Sequence, residues 1–169
     1  MVALRPETYG DIEPINRVIE VAFRSVKQSD HTEQLIVARL RDNNALNVSL
    51  VAEVNNQVVG HIAASPVTFG STEGWLGIGP VSVLTDQQGI GIGSALIEAA
   101  LNELKKAGAA GAVVLGEPDY YCRFGFKQVA GVHFPGVPAE YFTVLPFGQE
   151  TSEGLFAIIT RLASVKDTR

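Results

Sequence analysis

Glycines at positions 89, 91 and 93 follow Gln88 and lead directly into an amphipathic run. At a strand-to-helix turn, missing side chains leave amide N–H groups bare at the positive end of a helix dipole. Such a turn binds phosphate oxygens, and Val81-Ser-Val-Leu-Thr-Asp-Gln-Gln-Gly-Ile-Gly-Ile-Gly-Ser-Ala-Leu96 reads as a cradle for a pyrophosphate. A flexible turn with helix-packing glycines is the plainer alternative. A nucleotide P-loop is excluded, because Ser94-Ala95 stands where Lys and Ser/Thr are required. A dinucleotide loop would use a ribose-binding carboxylate such as Glu117. The spacing here lacks its third glycine, and the loop comes after a hairpin-rich half of the chain.

The other residues able to do chemistry lie downstream or are scattered. Tyr120 and Tyr121 offer phenols for proton transfer, and Glu117 ends a strand just before them. Glu117 is the best carboxylate for a general base, with a structural cap on the Pro118 turn as the equal alternative. His31, His61 and His133 are isolated from one another, and each reads more readily as a satisfied polar residue. Cys122 invites a covalent acyl-cysteine, but no histidine accompanies it in sequence, so it reads as a small packed residue. No His/Cys/Asp cluster has metal-ligand spacing, and no metal is implied.

The elements that must position these groups follow from periodicity. Val2 to Leu4 suits a first strand. Asp11 reads as an N-cap before Ile15, Val18, Ile19, Ala22 and Phe23, which share a helical face. Asp30 and Glu33 have capping-box spacing ahead of Leu35, Ile36 and Leu40, and Asn43-Asn44 ends that helix. Val48 to Val54 and Val58 to Thr68 flank Asn55-Asn56-Gln57 as an antiparallel hairpin. Gly74 to Leu84 is a further strand in which Gly77 and Gly79-Pro80 suggest a bulge or a break in pairing.

A helix from about Gly91 to Ala107 buries Ile97, Ala100, Leu101 and Leu104, with Lys105 and Lys106 at its negative end and Gly108 at C′. Ile90 and Ile92 are expected to pack inward as the loop winds into this helix. Ala112 to Leu115 is a buried strand, Pro118 to Phe124 a short helical turn, and Phe126 to Ala130 another strand. Tyr141 to Phe147 and Leu155 to Leu162 form a closing pair. The fold class is therefore α+β: a mixed, mostly antiparallel sheet flanked by helices, not a doubly wound parallel one.

Composition bounds the reading. A chain of 169 residues, 46% apolar and 18% charged, is expected to be one globular domain spanning 1–169. No apolar run approaches the ~20 residues needed to cross a bilayer, and no signal-peptide pattern surrounds Arg5, so no membrane is implied. A single cysteine rules out an internal disulfide and fits a reducing cytoplasm. A net charge of −5 with no basic stripe argues against nucleic acid, and it leaves any polyanion to local backbone amides.

Gln88-Gly-Ile-Gly91-Ile-Gly93 resembles the Gln/Arg-x-x-Gly-x-Gly/Ala signature of the GNAT superfamily of acyl-CoA-dependent N-acetyltransferases. Tyr121-Cys-Arg-Phe-Gly125-Phe126 is similar to the family's Tyr-x-x-x-Gly-Phe element. Leu115 to Phe126 and Gly79-Pro-Val-Ser-Val83 resemble a branch of small bacterial N-acetyltransferases. The two motifs stand about 30 residues apart with a strand between them, the family's layout, and the likeness extends over nearly the whole chain.

The resemblance implies acetyl-CoA as cosubstrate and an amine acceptor, a small molecule or a protein amine, with direct transfer in a ternary complex. It implies that pantetheine pairs along Val81 to Val83, with the Val81 amide as oxyanion donor. Gln88, Gly89, Gly91, Ile92, Gly93 and Ser94 would hold the pyrophosphate. Tyr121 would protonate the leaving thiolate, with Tyr120 as the alternative. The acceptor site would draw on Ser25 to Thr32 and on the C-terminal strands, with His133, Phe134, Tyr141 and Phe142 lining it or, as the equal alternative, serving core and hairpin packing. A homodimer is left open. A second class of reading is a non-catalytic module that senses acetyl-CoA without transferring from it; the presence of Tyr121 favours the enzyme.

Overall fold

The computed structural model describes residues 1–27, 29–69, 72–130, 132 and 134–148, without the side chains at 68, 69 and 72. Among the described residues six strands succeed one another in the order β1-β2-β3-β4-β5-β6. They are Ala3–Pro6 (β1), Val48–Val54 (β2), Gln57–Phe69 (β3), Thr72–Val83 (β4), Gly111–Leu115 (β5) and Phe142–Pro146 (β6). The helices among the described residues are Ile12–Phe23 (α1), Glu33–Asp42 (α2), Ile92–Lys106 (α3) and Pro118–Tyr121 (α4). The pairs β1/β2, β2/β3 and β5/β6 are antiparallel, as expected of the α+β class. Among the described residues no helix is long and apolar enough to cross a membrane.

The chain forms two compact units. One holds Met1–Ser65 with Ile78–Glu103; the other holds Pro66–Gly77 with the described residues from Leu104 onward.

In the first unit, β2 and β3 join through Asn55 and Asn56, whose φ values of 50° and 63° make the two-residue left-handed turn that suits strand twist. The resulting register sets Val51 opposite His61 and Ser49 opposite Ala63. Because side chains alternate, these share one face, and Ile15, Ile19 and Val37 of α1 and α2 pack there against Val51 and Ala63. On the other face, Gly60 admits α3. A Cβ at Gly60 would stand 3.0 Å from Leu96 Cδ1 and 3.2 Å from Ile92 Cγ2. Ile97, Ala100, Leu101 and Leu104 are all buried along α3, and Gly108 follows it with φ 80°, both as its spacing predicts.

Both expected caps differ in detail. Asp11 stands at the N-cap of α1, as its position predicts, but its side chain makes no cap bond there. It closes a preceding 3-10 turn by accepting from Thr8 N (2.7 Å) and Thr8 Oγ1 (2.9 Å), and it takes Arg5 in a bidentate pair at 2.7 and 3.0 Å. The cation draws the carboxylate away from its own helix end and holds its pKa well below the usual range. At α2, Thr32 is the residue before the first turn; Asp30 Oδ1 accepts from Thr32 N, while Ser29 Oγ bonds Glu33. The N-cap position thus falls to Thr32, and Asp30 and Glu33 bond Thr32 and Ser29 instead of forming a box with each other.

In the second unit, β5 and β6 pair in a ladder from Gly111 opposite Pro146 to Leu115 opposite Phe142. Trp75, Val113, Val132, Phe142 and Val144 make its core. Gly111 is required there, since a Cβ would stand 2.5 Å from Trp75 Cζ3. The strand expected over Phe126 to Ala130 shrinks to a single bridge, Lys127 with Val144. Left-handed Gly125 (φ 97°) redirects the chain before it, and a turn closed by Val132 N on Val129 O ends the ladder after it. The expected strand Leu155 to Leu162 and His133 lie outside the described residues.

Candidate functional site

The end of β4 and the turn after it are built by hydrogen bonds that local sequence supplies. Leu84 N donates to Val59 O at 2.8 Å, so the backbone polar groups of Leu84 face β3. Alternation along the extended strand turns those of Val83 and Val81 to the opposite edge. There Val83 O accepts from Gln88 Nε2 at 3.0 Å. Between them a 3-10 turn, Thr85–Gln87, is closed by Gln87 N on Leu84 O at 2.8 Å.

Beyond Gln88 the chain needs its glycines. Gly89 and Gly91 adopt φ of 79° and 91°, in the region where a side chain is strained. A Cβ at either would meet nothing within 4 Å, so the outer side of the loop is open. The first bond of α3 runs from Ala95 N to Gly91 O at 3.0 Å. The amides of Ile92, Gly93 and Ser94 precede it and have no acceptor within the helix. A 15-residue helix thus presents its positive end behind an uncovered loop.

The two isoleucines part company. Ile92 is 2% exposed beneath α3, whereas Ile90 is 69% exposed, contrary to the expectation that both pack inward. Ile90 is held between two left-handed glycines at the tip, and that geometry faces it to solvent.

In the second unit, Glu117 precedes α4 and its carbonyl accepts from Tyr120 N and Tyr121 N, both at 3.1 Å. Its carboxylate caps nothing and is exposed. The backbone does the capping, so the carboxylate stays available. The Tyr121 ring packs edge-on to Phe126 (centroids 5.9 Å) and to Tyr120 (5.1 Å). It lies over Gly116, where a Cβ would be 2.4 Å from Tyr121 Cε2. Burial raises the Tyr121 pKa to about 12, and Tyr120 adds to the rise. Among the described residues no hydrogen bond engages its hydroxyl. Tyr120 instead carries the Arg123 guanidinium over its ring at 4.4 Å.

Cys122 is exposed, and its thiol donates to Asp119 O at 3.2 Å; it is not in the core. His31 is exposed in a left-handed conformation (φ 62°). Phe142 is core, stacked near Phe134 at 6.2 Å, while Phe134 and Tyr141 remain partly exposed. Among the described residues no His/Cys/Asp/Glu group could hold a metal.

His61, itself fully buried, belongs to a half-buried polar cluster that the sequence did not announce. Glu7, just past β1, takes Arg41 of α2 in a bidentate pair at 2.8 and 2.9 Å and accepts the Ser49 hydroxyl of β2. The one Ser49 proton goes to the carboxylate. His61 Nε2–H therefore donates to Ser49 Oγ at 2.8 Å, and Nδ1 is left without a partner. Burial lowers the His61 pKa to about 4, with Arg41 acting in the same sense and Glu7 against it. Nothing in the periodicity marks Glu7 and Arg41 as partners, since they are 34 residues apart.

Residues 12–126 match the Acetyltransferase (GNAT) family. The Escherichia coli (strain K12) protein YhbS, named an uncharacterized N-acetyltransferase, is 36% identical over 114 residues, 66% of this chain and 68% of its own. A second protein of that strain, YjhQ, likewise named an uncharacterized N-acetyltransferase, is 34% identical over 136 residues, covering 78% of this chain and 72% of its own. Among solved structures, a GNAT family acetyltransferase from Brucella melitensis in complex with acetyl-CoA is 47% identical at a TM-score of 0.80, covering 89% of this chain and 91% of that one.

Proposed function

The chain belongs to the Acetyltransferase (GNAT) family, and from that premise we propose that it transfers the acetyl group of acetyl-CoA to a primary amine by direct attack in a ternary complex. The observation that carries this reading is one continuous run of backbone. The polar groups of Val81 and Val83 face away from β3, and the uncovered amides of the Gly89–Ser94 loop follow within the same segment. Backbone polar groups turned away from β3 suit the amides of pantetheine, and a helix N-terminus behind glycines suits a pyrophosphate. The Brucella relative was solved with acetyl-CoA, which supports the same cosubstrate here.

The acceptor nitrogen attacks the thioester carbonyl, and the Val81 N–H donates to the oxyanion that forms. Preorganised donors of this kind supply several kcal/mol. Glu117 takes the ammonium proton, directly or through water. As the C–S bond breaks, the electron pair leaves with sulfur and the Tyr121 hydroxyl donates a hydrogen bond to it. With the phenol raised to about 12, it stays neutral at physiological pH. Complete transfer to a thiolate of pKa about 8.5 costs about 5 kcal/mol. Tyr121 therefore stabilises the thiolate chiefly as a donor, rather than as the well-matched acid that an unperturbed phenol would be. For the acceptor, the resemblance points to residues 25–32 of the first unit, and Phe134 and Tyr141 are exposed aromatic candidates in the second.

Release of free thiol from acetyl-CoA, measured across amines, polyamines and peptides, tests the reading. Amine-dependent release is expected. Calorimetric binding of acetyl-CoA without release for any acceptor would instead make the chain a sensor.

A further inference from the structure

Gln88 stands where the signature residue of the phosphate loop stands, yet its side chain turns back along the chain. Nε2 donates to Val83 O at 3.0 Å, spanning five residues and closing the Thr85–Gln87 turn from outside. The backbone inside that turn is held at one end by Gln87 N on Leu84 O at 2.8 Å. At the other end the bond from Gln88 N to Thr85 O is long, at 3.5 Å. The side-chain bond is thus the shorter of the two that tie Gln88 to what precedes it. Its acceptor, Val83 O, is on the same side of β4 as the Val81 N–H, two residues upstream.

We propose that Gln88 is a positioning residue: its bond to Val83 O fixes the offset between the phosphate loop and the edge at Val81 to Val83. The proposal rests on the acetyl-transfer reading above. Coenzyme A must satisfy both ends at once, since pantetheine ties the pyrophosphate to the sulfur covalently and, extended along the strand, has little reach to spare. If the loop slides relative to the strand while the pyrophosphate stays seated, the thioester carbonyl misses the Val81 amide. Small displacements of a reacting group cost rate steeply. Gln88 in this account touches neither phosphate nor thioester.

The test uses Gln88→Met, which keeps the length and removes the donor, and Gln88→Arg, which restores N–H groups. ADP probes the loop alone, and CoA probes loop and strand together. Gln88→Met is expected to leave ADP affinity within about twofold and to weaken CoA by roughly 3- to 10-fold, the loss of one neutral hydrogen bond. It should lower kcat at saturating acetyl-CoA by at least as much, and Gln88→Arg should recover both. Equal weakening of ADP and CoA would make Gln88 a direct phosphate ligand and overturn the proposal. A lowered Tm with kcat and both affinities unchanged would also overturn it. Should the wild type bind no CoA, the acetyl-transfer reading fails. Hydrogen exchange at amides 85–91 in the unliganded protein then decides the brace: faster exchange in Gln88→Met supports it, and unchanged exchange overturns it.

Discussion

The ring of Tyr121 occupies the space that a side chain at residue 116 would need, with a Cβ there only 2.4 Å from Tyr121 Cε2. Gly116 N is at the same time bonded to Tyr141 O at 2.9 Å, so the backbone beneath the ring is anchored and does not yield. Gly116→Ala must therefore displace the ring. We expect it to lower kcat while leaving CoA affinity within about twofold, and to combine with Tyr121→Phe less than additively. Additive losses in kcat would separate the two residues.

Tyr121→Phe keeps the packing and removes one hydroxyl. A hydrogen bond to a charged group contributes about 1.5–3 kcal/mol, so turnover should fall roughly 10- to 150-fold with coenzyme binding unchanged. Because the phenol titrates only at about 12, the defect should persist from pH 7 to pH 9. A defect that vanished by pH 9 would mean that Tyr121 transfers its proton outright. Tyr120→Phe, with its ring under Arg123, is the control and should be near wild type.

Gly91→Val tests the loop through its backbone. The space around Gly91 is open, so the penalty comes from φ 91° rather than from a neighbour. Holding a non-glycine residue in such a conformation costs on the order of 1–3 kcal/mol. A folded Gly91→Val variant should lose CoA affinity in calorimetry, and undiminished affinity would remove the loop from the site.

Glu117→Gln should lower kcat/KM and flatten the acidic limb of its pH profile, since the exposed carboxylate caps nothing that the backbone carbonyl does not already hold. Its Tm should not move. An unaltered profile would assign the proton to solvent.

His61 makes stability depend on pH in a window of its own. Its folded pKa of about 4 lies below the ordinary 6.5, so the folded state favours the neutral ring. The stabilisation is fully present above pH 6.5 and is lost as pH falls toward 4, by roughly 3 kcal/mol in all. Glu7 and Asp11, whose pKa values are lowered, begin to lose theirs only as pH falls through about 4.5 and about 4 respectively, at the foot of the His61 window. Denaturant unfolding of wild type and His61→Gln between pH 7 and 4 should show the slope in the first and not in the second.

Much of this was legible because it is local. The hairpin at Asn55-Asn56, the glycines before α3, the buried face of Ile97 to Leu104 and the cap at Gly108 each depend on residues within a few positions of one another. What escaped was decided at a distance. Arg5 takes Asp11 away from α1, and Trp75 dictates Gly111 from another strand. The cluster joining Glu7, Arg41, Ser49 and His61 exists only once β1, β2, β3 and α2 are assembled. In the site, the loop was readable from its glycines, but the inward turn of Gln88 and the outward turn of Ile90 follow from hydrogen bonding and φ, which spacing does not encode.

Ile90 is a large apolar side chain facing water at the tip of a loop whose shape is set by the glycines beside it. Since it contributes no packing to the loop, it can be exchanged for cysteine and tagged with an environment-sensitive dye, once Cys122, the chain's one natural thiol, is changed to serine. The tip then becomes a gauge. If coenzyme seats on this loop as proposed, the dye's emission follows coenzyme arrival and departure turnover by turnover, and the order of substrate entry can be timed without knowing the acceptor.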